Sequence, residues 1–106
     1  MSTGKITKDP AHELEKVFAE IMDYQEMVTL FEEIFTEKEL RDLTLRWQLL
    51  KELYEGKTQR SIALRYRISL CKITRGSKVL KKKGSTVKKI LDAHYERSHK
   101  FNRDKE

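Results

Sequence analysis

Apolar residues recur along this chain at intervals of three and four, with polar or charged residues between them. Leu14, Val17, Phe18 and Ile21 share one helical face, and Met27, Leu30, Phe31 and Ile34 share another. That spacing predicts two short amphipathic helices. Asp9 and Pro10 mark the start of the first, because proline's fixed φ and missing N–H suit the opening position of a helix. Thr36 followed by Glu39 forms a capping box, in which each side chain serves a backbone N–H of the other. The third helix that it opens carries Leu40, Leu43, Trp47, Leu50 and Tyr54 along one side, the expected core stripe. Arg46, Leu49 and Leu53 lie on an adjoining stripe, and Gly56 is the predicted stop. Thr58 is placed to cap a fourth helix, Gln59 to about Tyr66, and Ser69 a fifth, Leu70 to about Lys82. Gly84, Ser85 and Thr86 interrupt the pattern, after which Val87, Ile90, Leu91, His94 and Tyr95 make a last stripe.

The expected fold class is therefore all-α, with about six helices, no internal repeat and no hairpin signal. A chain of 106 residues suits one compact domain. We expect a loose polar arm over 1–9, a helical domain over 10–97 and a polar tail over 98–106. At 38% apolar and 38% charged residues, much of the chain must face a surface. The longest apolar runs span only a few residues and the N-terminus lacks a basic-then-apolar pattern, so neither a membrane span nor secretion is expected. The single cysteine, Cys71, has no partner for an internal disulfide, which fits the cytoplasm. Six short helices also leave a question of where the first, third and last bury their apolar faces. Pairing with a second copy, as an intertwined homodimer, is one answer.

Charge changes this picture most. Residues 1–56 hold seven Lys/Arg against thirteen Asp/Glu, whereas residues 57–106 hold sixteen against four. From Lys57 to Leu91 there are twelve basic residues and no acidic one. A solvated helical surface usually mixes both signs, so a polyanion partner is the economical reading.

Within that basic run, the fourth and fifth helices are joined by Arg67, Ile68 and Ser69. Two short helices with such a joint match a helix-turn-helix over about Thr58 to Leu80, which lays its second helix into the major groove of double-stranded DNA. Ile62, Ala63, Tyr66, Ile68 and Ile73 form the packing set. Gln59, Arg60, Ser69, Leu70, Cys71, Lys72 and Thr74 then face DNA, with Lys78 and Lys81 near phosphate. Arg60 suits a bidentate contact to guanine, and Leu70, Cys71 and the Thr74 methyl suit thymine methyls. Arg67 stands where such turns prefer glycine, because a left-handed backbone is needed there, at a cost of roughly 1 kcal/mol.

The stretch Lys72-Ile73-Thr74-Arg75-Gly76-Ser77-Lys78-Val79-Leu80 resembles the Ile-Thr-Arg-Gly-Ser-Asn signature of the tryptophan repressor family. Thr58-Gln59-Arg60 is similar to that family's Ser/Thr-Gln-Arg helix start, and Arg46 and Thr36 fall at family positions in and before the third helix. The resemblance runs from about Phe35 to Leu80, and the order of helices extends it to residues 10–97. It implies a repressor that binds a palindromic operator as a homodimer and takes L-tryptophan as corepressor, acting on genes of tryptophan biosynthesis or uptake. It also implies an indole held between the guanidinium groups of Arg46 and Arg75, with Arg75 on the carboxylate. Main-chain carbonyls around Glu33 and Phe35, with Thr36 nearby, would receive the ammonium, and Gly76 and Val79 would line the pocket. Ligand binding would then set the spacing of the reading heads as a population shift.

This chain departs from that pattern in three places. Val79 stands where the family has serine or another small residue, and Lys78 replaces the asparagine after Gly-Ser. The turn Gly56-Lys57-Thr58 is one residue shorter and resembles a sister branch of the superfamily. A DNA binder of this superfamily that ignores tryptophan, and a basic module that binds nucleic acid by charge alone, are the alternatives. An enzyme is disfavoured, since no nucleophile-base pair, phosphate loop or metal cluster is apparent in the sequence. His12, His94 and His99 lack metal-ligand spacing with one another or with Cys71. Cys71 sits near Lys72, Arg75 and a helix N-terminus, but no histidine or carboxylate base lies beside it in sequence. Trp47 reads as core, or as the pocket's edge, and Lys81, Lys82 and Lys83 read as phosphate contacts after the recognition helix.

Overall fold

Residues 9–105 are described by a computed structural model, with side chains over 9–97. Apart from Asp9, the expected N-terminal arm lies outside the described residues. So do the side chains of the expected tail. The order of elements is α1 (Pro10–Glu20), α2 (Tyr24–Ile34), α3 (Glu37–Tyr54), α4 (Gln59–Tyr66), α5 (Leu70–Lys81) and α6 (Thr86–Lys105). Among the described residues there is no strand. The chain forms two compact units, 1–41 and 42–106, whose boundary falls inside α3.

In the first unit each helix is opened by a side chain that the local sequence supplies. Asp9 Oδ1 accepts from the Ala11 N–H at 2.9 Å, and Asp23 Oδ2 accepts from the Glu26 N–H at 2.9 Å. At α3 the Thr36 hydroxyl oxygen accepts from Glu39 N at 3.1 Å while Glu39 Oε1 accepts from Thr36 N at 2.9 Å. The capping box is thus closed in both directions. Phe18, Phe31 and Phe35 form a row, with ring centroids 5.5 and 5.3 Å apart. No residue of α1 or α2 is buried.

The second unit is built around Leu49, Ile62 and Ile73, one residue each from α3, α4 and α5, with Leu45, Leu53, Ala63, Tyr66 and Ile68 packed against them. Ile62 and Ile73 are 1% and 0% exposed, so the joint between α4 and α5 is dry. Arg67 takes the left-handed conformation expected of it, φ 55° and ψ 49°, and the Ile68 N–H bonds to the Ala63 carbonyl at 3.2 Å. Gly56, at φ 95°, stops α3. Its N–H bonds to the Leu53 carbonyl and that of Lys57 to the Glu52 carbonyl, both at 3.1 Å. This paired closure needs a left-handed residue, which glycine adopts without a steric penalty.

Three expectations change in detail. On α3 the buried positions are Leu49 and Glu52, whereas Leu43 and Trp47 of the expected core stripe are each 38% exposed. The α4–α5 pair seats on the adjoining stripe, so the longer apolar row does not form the centre of this unit. Ser69 occupies the position before α5 but makes no side-chain capping bond. Finally, α6 continues past its apolar stripe to Lys105. Within that stripe Leu91 is buried, while Ile90 and His94 are exposed. Ser85 begins α6, its hydroxyl oxygen accepting from the Lys88 N–H at 3.1 Å.

Because Ile73 is fully enclosed, Ile73→Ala leaves a cavity as well as losing transfer energy. We expect it to lower the unfolding free energy by about 2–5 kcal/mol, read as a shift of the urea midpoint at unchanged slope.

Candidate nucleic-acid interface

The dry joint of α4 and α5 decides which side chains point away from it. Arg60, Ser69, Leu70, Cys71, Lys72, Lys78 and Lys81, all expected at DNA, are exposed. Gln59 and Thr74 are half-buried and lie against each other. Thr74 Oγ1 is 3.1 Å from Gln59 Oε1 and 2.9 Å from the Leu70 carbonyl oxygen. A hydroxyl has a single proton, so turning the Gln59 amide over lets its NH₂ donate to Thr74 while Thr74 donates to Leu70. The pair therefore links the start of α4 to the first turn of α5. Ser69 and the residues after it stand at the N-terminus of α5, where free N–H groups favour an anion.

The residues tied by resemblance to a ligand are distributed over both units. In the first, Glu33 is exposed in the last turn of α2, and Phe35 follows that helix with its ring edge-on to Phe31. Since α2 ends at Ile34, carbonyls of its last turn point out of the helix end. Thr36 is engaged with Glu39. In the second unit Arg46 and Arg75 are exposed on α3 and α5, and Val79 is half-buried. Gly76 has a structural role of its own. A Cβ there would lie 3.1 Å from Leu53 Cδ1 and 3.5 Å from Leu50 Cδ2, so the absence of a side chain lets α5 run close to α3. Trp47 is not enclosed.

Sequence reasoning missed Glu52. Its side chain is 1% exposed, a position expected for an apolar residue. The Tyr66 hydroxyl donates to Oε2, and Gln48 Nε2 donates to the same oxygen at 3.0 Å. Lys57 Nζ and an Arg65 guanidinium nitrogen lie 3.5 and 3.6 Å from Oε1. The Tyr66 hydrogen bond first, then Gln48 and the two cations, hold the carboxyl down at about 2 against the opposing effect of burial. The charged residue looked like surface because the local pattern cannot show partners on α4. The nearest signal was a tyrosine and two cations within fourteen residues of it. Two further pairs tie the end of α3 and the residue after it to α6. Tyr54 donates to Asp92, which lowers the carboxyl and raises the phenol, and Tyr95 donates to Glu55, which pushes the Tyr95 phenol up to about 12. Among the described residues, no group of three His, Cys, Asp or Glu could hold a metal, and no helix is long and apolar enough to cross a membrane.

The described residues thus form helices alone, in a chain with an acidic first half and a cationic two-helix head. The Trp repressor protein family matches residues 11–95, and the chain belongs to that family. It is similar to the Trp operon repressor homolog of Chlamydia trachomatis serovar L2 (strain 434/Bu), at 41% identity over 54 residues, 50% of this chain and 57% of the relative. The serovar D homolog is 38% identical over 63 residues, 58% of this chain and 67% of the relative. The chain therefore spans roughly three-fifths of the length of the curated relatives it matches. No solved structure matches it significantly.

The Glu52 carboxylate yields a test of acid sensitivity. A carboxyl near 2 in the fold and near 4.5 in the unfolded chain adds stability above about pH 4.5 that is lost as pH falls toward 2. We expect Glu52→Gln to flatten the acid limb of stability against pH in that window, followed by urea unfolding at successive pH values. Glu39 and Asp92, also lowered, keep a residual slope.

Proposed function

We propose that this protein is a sequence-specific DNA-binding repressor that acts in the cytoplasm as a homodimer, with L-tryptophan as corepressor. The observation that carries the reading is the enclosed Ile62–Ile73 joint, from which Arg60, Leu70, Cys71 and Lys72 project outward in a stretch without an acidic residue. That is the construction of a helix-turn-helix head, with α5 as the recognition helix. Arg60 reads guanine, Leu70 and Cys71 meet thymine methyls, and Ser69, Lys72, Lys78 and Lys81 contact phosphate. Thr74 and Gln59 hold the two helices in register and leave the Thr74 methyl for base contact. The homodimer is supported by α1 and α2, which bury no residue of their own, and it matches the two half-sites of a palindromic operator.

For the corepressor, Arg46 and Arg75 sandwich the indole and Arg75 holds the carboxylate, with Gly76 and Val79 along the wall. Glu33, Phe35 and Thr36 are the positions that the family resemblance assigns to the ammonium. The relatives' name, Trp operon repressor homolog, supports genes of tryptophan biosynthesis or uptake as targets. Val79 and the short turn at Gly56-Lys57-Thr58 favour a second reading, a repressor of the same construction whose DNA binding is independent of tryptophan.

One titration tests both. At fixed salt, a palindromic operator fragment and a scrambled duplex are compared with and without L-tryptophan. Equal binding of the two duplexes under both conditions sinks the repressor reading. Equilibrium dialysis with no binding at millimolar L-tryptophan leaves the second reading in place. Arg60→Ala should cost about 1–3 kcal/mol on the operator and relax base preference, whereas Lys81→Ala should weaken all duplexes alike and reduce the salt slope by about 1. Arg75→Ala should remove the tryptophan response while leaving basal binding to the scrambled duplex within a few fold.

A further inference from the structure

Glu52 is a buried charge that the reading of DNA does not use. Its two oxygens are treated differently by their surroundings. Oε2 accepts from Tyr66 and Gln48. Oε1 is buried without a hydrogen-bond partner, and what faces it is the ammonium of Lys57 at 3.5 Å and the guanidinium of Arg65 at 3.6 Å. Arg65 also lies over the Tyr66 ring, 5.4 Å from its centroid, so its head is held back along α4. Lys57 stands in the turn before α4 and has Glu55 as a weaker partner at 3.7 Å. Drawing both cations away would leave an uncompensated carboxylate oxygen in the interior, which is costly. The last two acidic residues before the acid-free run therefore hold Lys57, and Glu52 holds Arg65 as well.

We propose that Glu52 is a specificity-determining residue, an internal counter-ion that withholds Lys57 and Arg65 from DNA phosphate and, through Tyr66, fixes α4 on α3. The inference rests on the repressor reading above and deepens it. Phosphate contacts raise affinity for every sequence alike. Keeping two cations out of them lowers non-specific binding, while a fixed α4 keeps Arg60 aimed at a base edge. Discrimination between operator and other DNA gains from both effects.

The test measures log K against log salt concentration on a scrambled duplex, together with the operator-to-scrambled affinity ratio, for the full chain. In Lys57→Gln and Arg65→Gln the salt slope should stay at the wild-type value, whereas Lys72→Gln should reduce its magnitude by about 0.9, the loss of one phosphate contact. Glu52→Gln keeps the shape and an acceptor for Tyr66 but removes the charge. It should steepen the slope by about one to two contacts' worth and lower the affinity ratio about tenfold. Adding Lys57→Gln and Arg65→Gln to it should return the slope to the wild-type value. A loss of about 0.9 in the slope for Lys57→Gln or Arg65→Gln alone would mean that these cations already hold phosphate, and overturns the proposal. So does a folded Glu52→Gln whose slope and ratio equal those of wild type. Both single cation variants are at exposed positions and carry the test if Glu52→Gln does not fold. Failure of the underlying reading is distinct, since there wild type itself binds operator and scrambled duplex equally.

Discussion

The contact of Ile62, Ile73 and Leu49 sets the geometry of the second unit, because it is the place where α3, α4 and α5 exclude water together. Helices of eight and twelve residues are too short to persist alone in water. Their stability comes from burying one face each, and the left-handed Arg67 turn lets both faces reach the same point. Once that point is occupied, the remaining faces have no freedom. Arg60, Leu70 and Lys72 are outward because Ile62 and Ile73 are inward. Gly76 permits the same packing one turn further along α5, where a side chain would meet Leu53 and Leu50 of α3.

Electrostatics complements this packing. The head collects cations without an acid among them, and like charges at that density repel one another in the fold. Glu52, buried against α4, is where the acidic half reaches into the cationic half. Its Oε2 accepts from donors on α3 and α4, and two cations face Oε1. A buried ion of this kind adds little net stability over a well-packed apolar residue. What it adds is direction, since a carboxylate with four partners tolerates few orientations of α4, which carries two of them and follows a third. Arg60, on the same α4, inherits that orientation.

The family membership and the local geometry bear on different parts of the functional reading. The α4–α5 head stands on charge, exposure and packing within one unit, and these hold whatever the ligand is. The corepressor rests on the likeness of Arg46, Arg75, Thr36 and their neighbours to a family pattern, from which Val79 departs. Gly76 illustrates how the two interlock. The resemblance assigns it to the proposed pocket, and the packing of α5 on α3 requires a small residue there independently.

How much of this was legible in the sequence follows from the range of the interactions concerned. The six helices, the Thr36–Glu39 box, the stop at Gly56 and the left-handed joint at Arg67 could all be read in advance, because capping, helix periodicity and turn conformation act between residues two to five apart. The exposure of Arg60, Leu70, Cys71 and Lys72 was legible too, since the period of a helix converts one buried residue into a face. The choice between the two stripes of α3 was not, nor were the burial of Glu52, the exposure of Trp47 and the pairing of Gln59 with Thr74. Each depends on which surface of one helix meets another, fourteen or more residues away. Local apolar spacing states that α3 has faces to bury, and only the packing of α4 and α5 decides that the face with Leu49 and a charged Glu52 is the one this unit encloses.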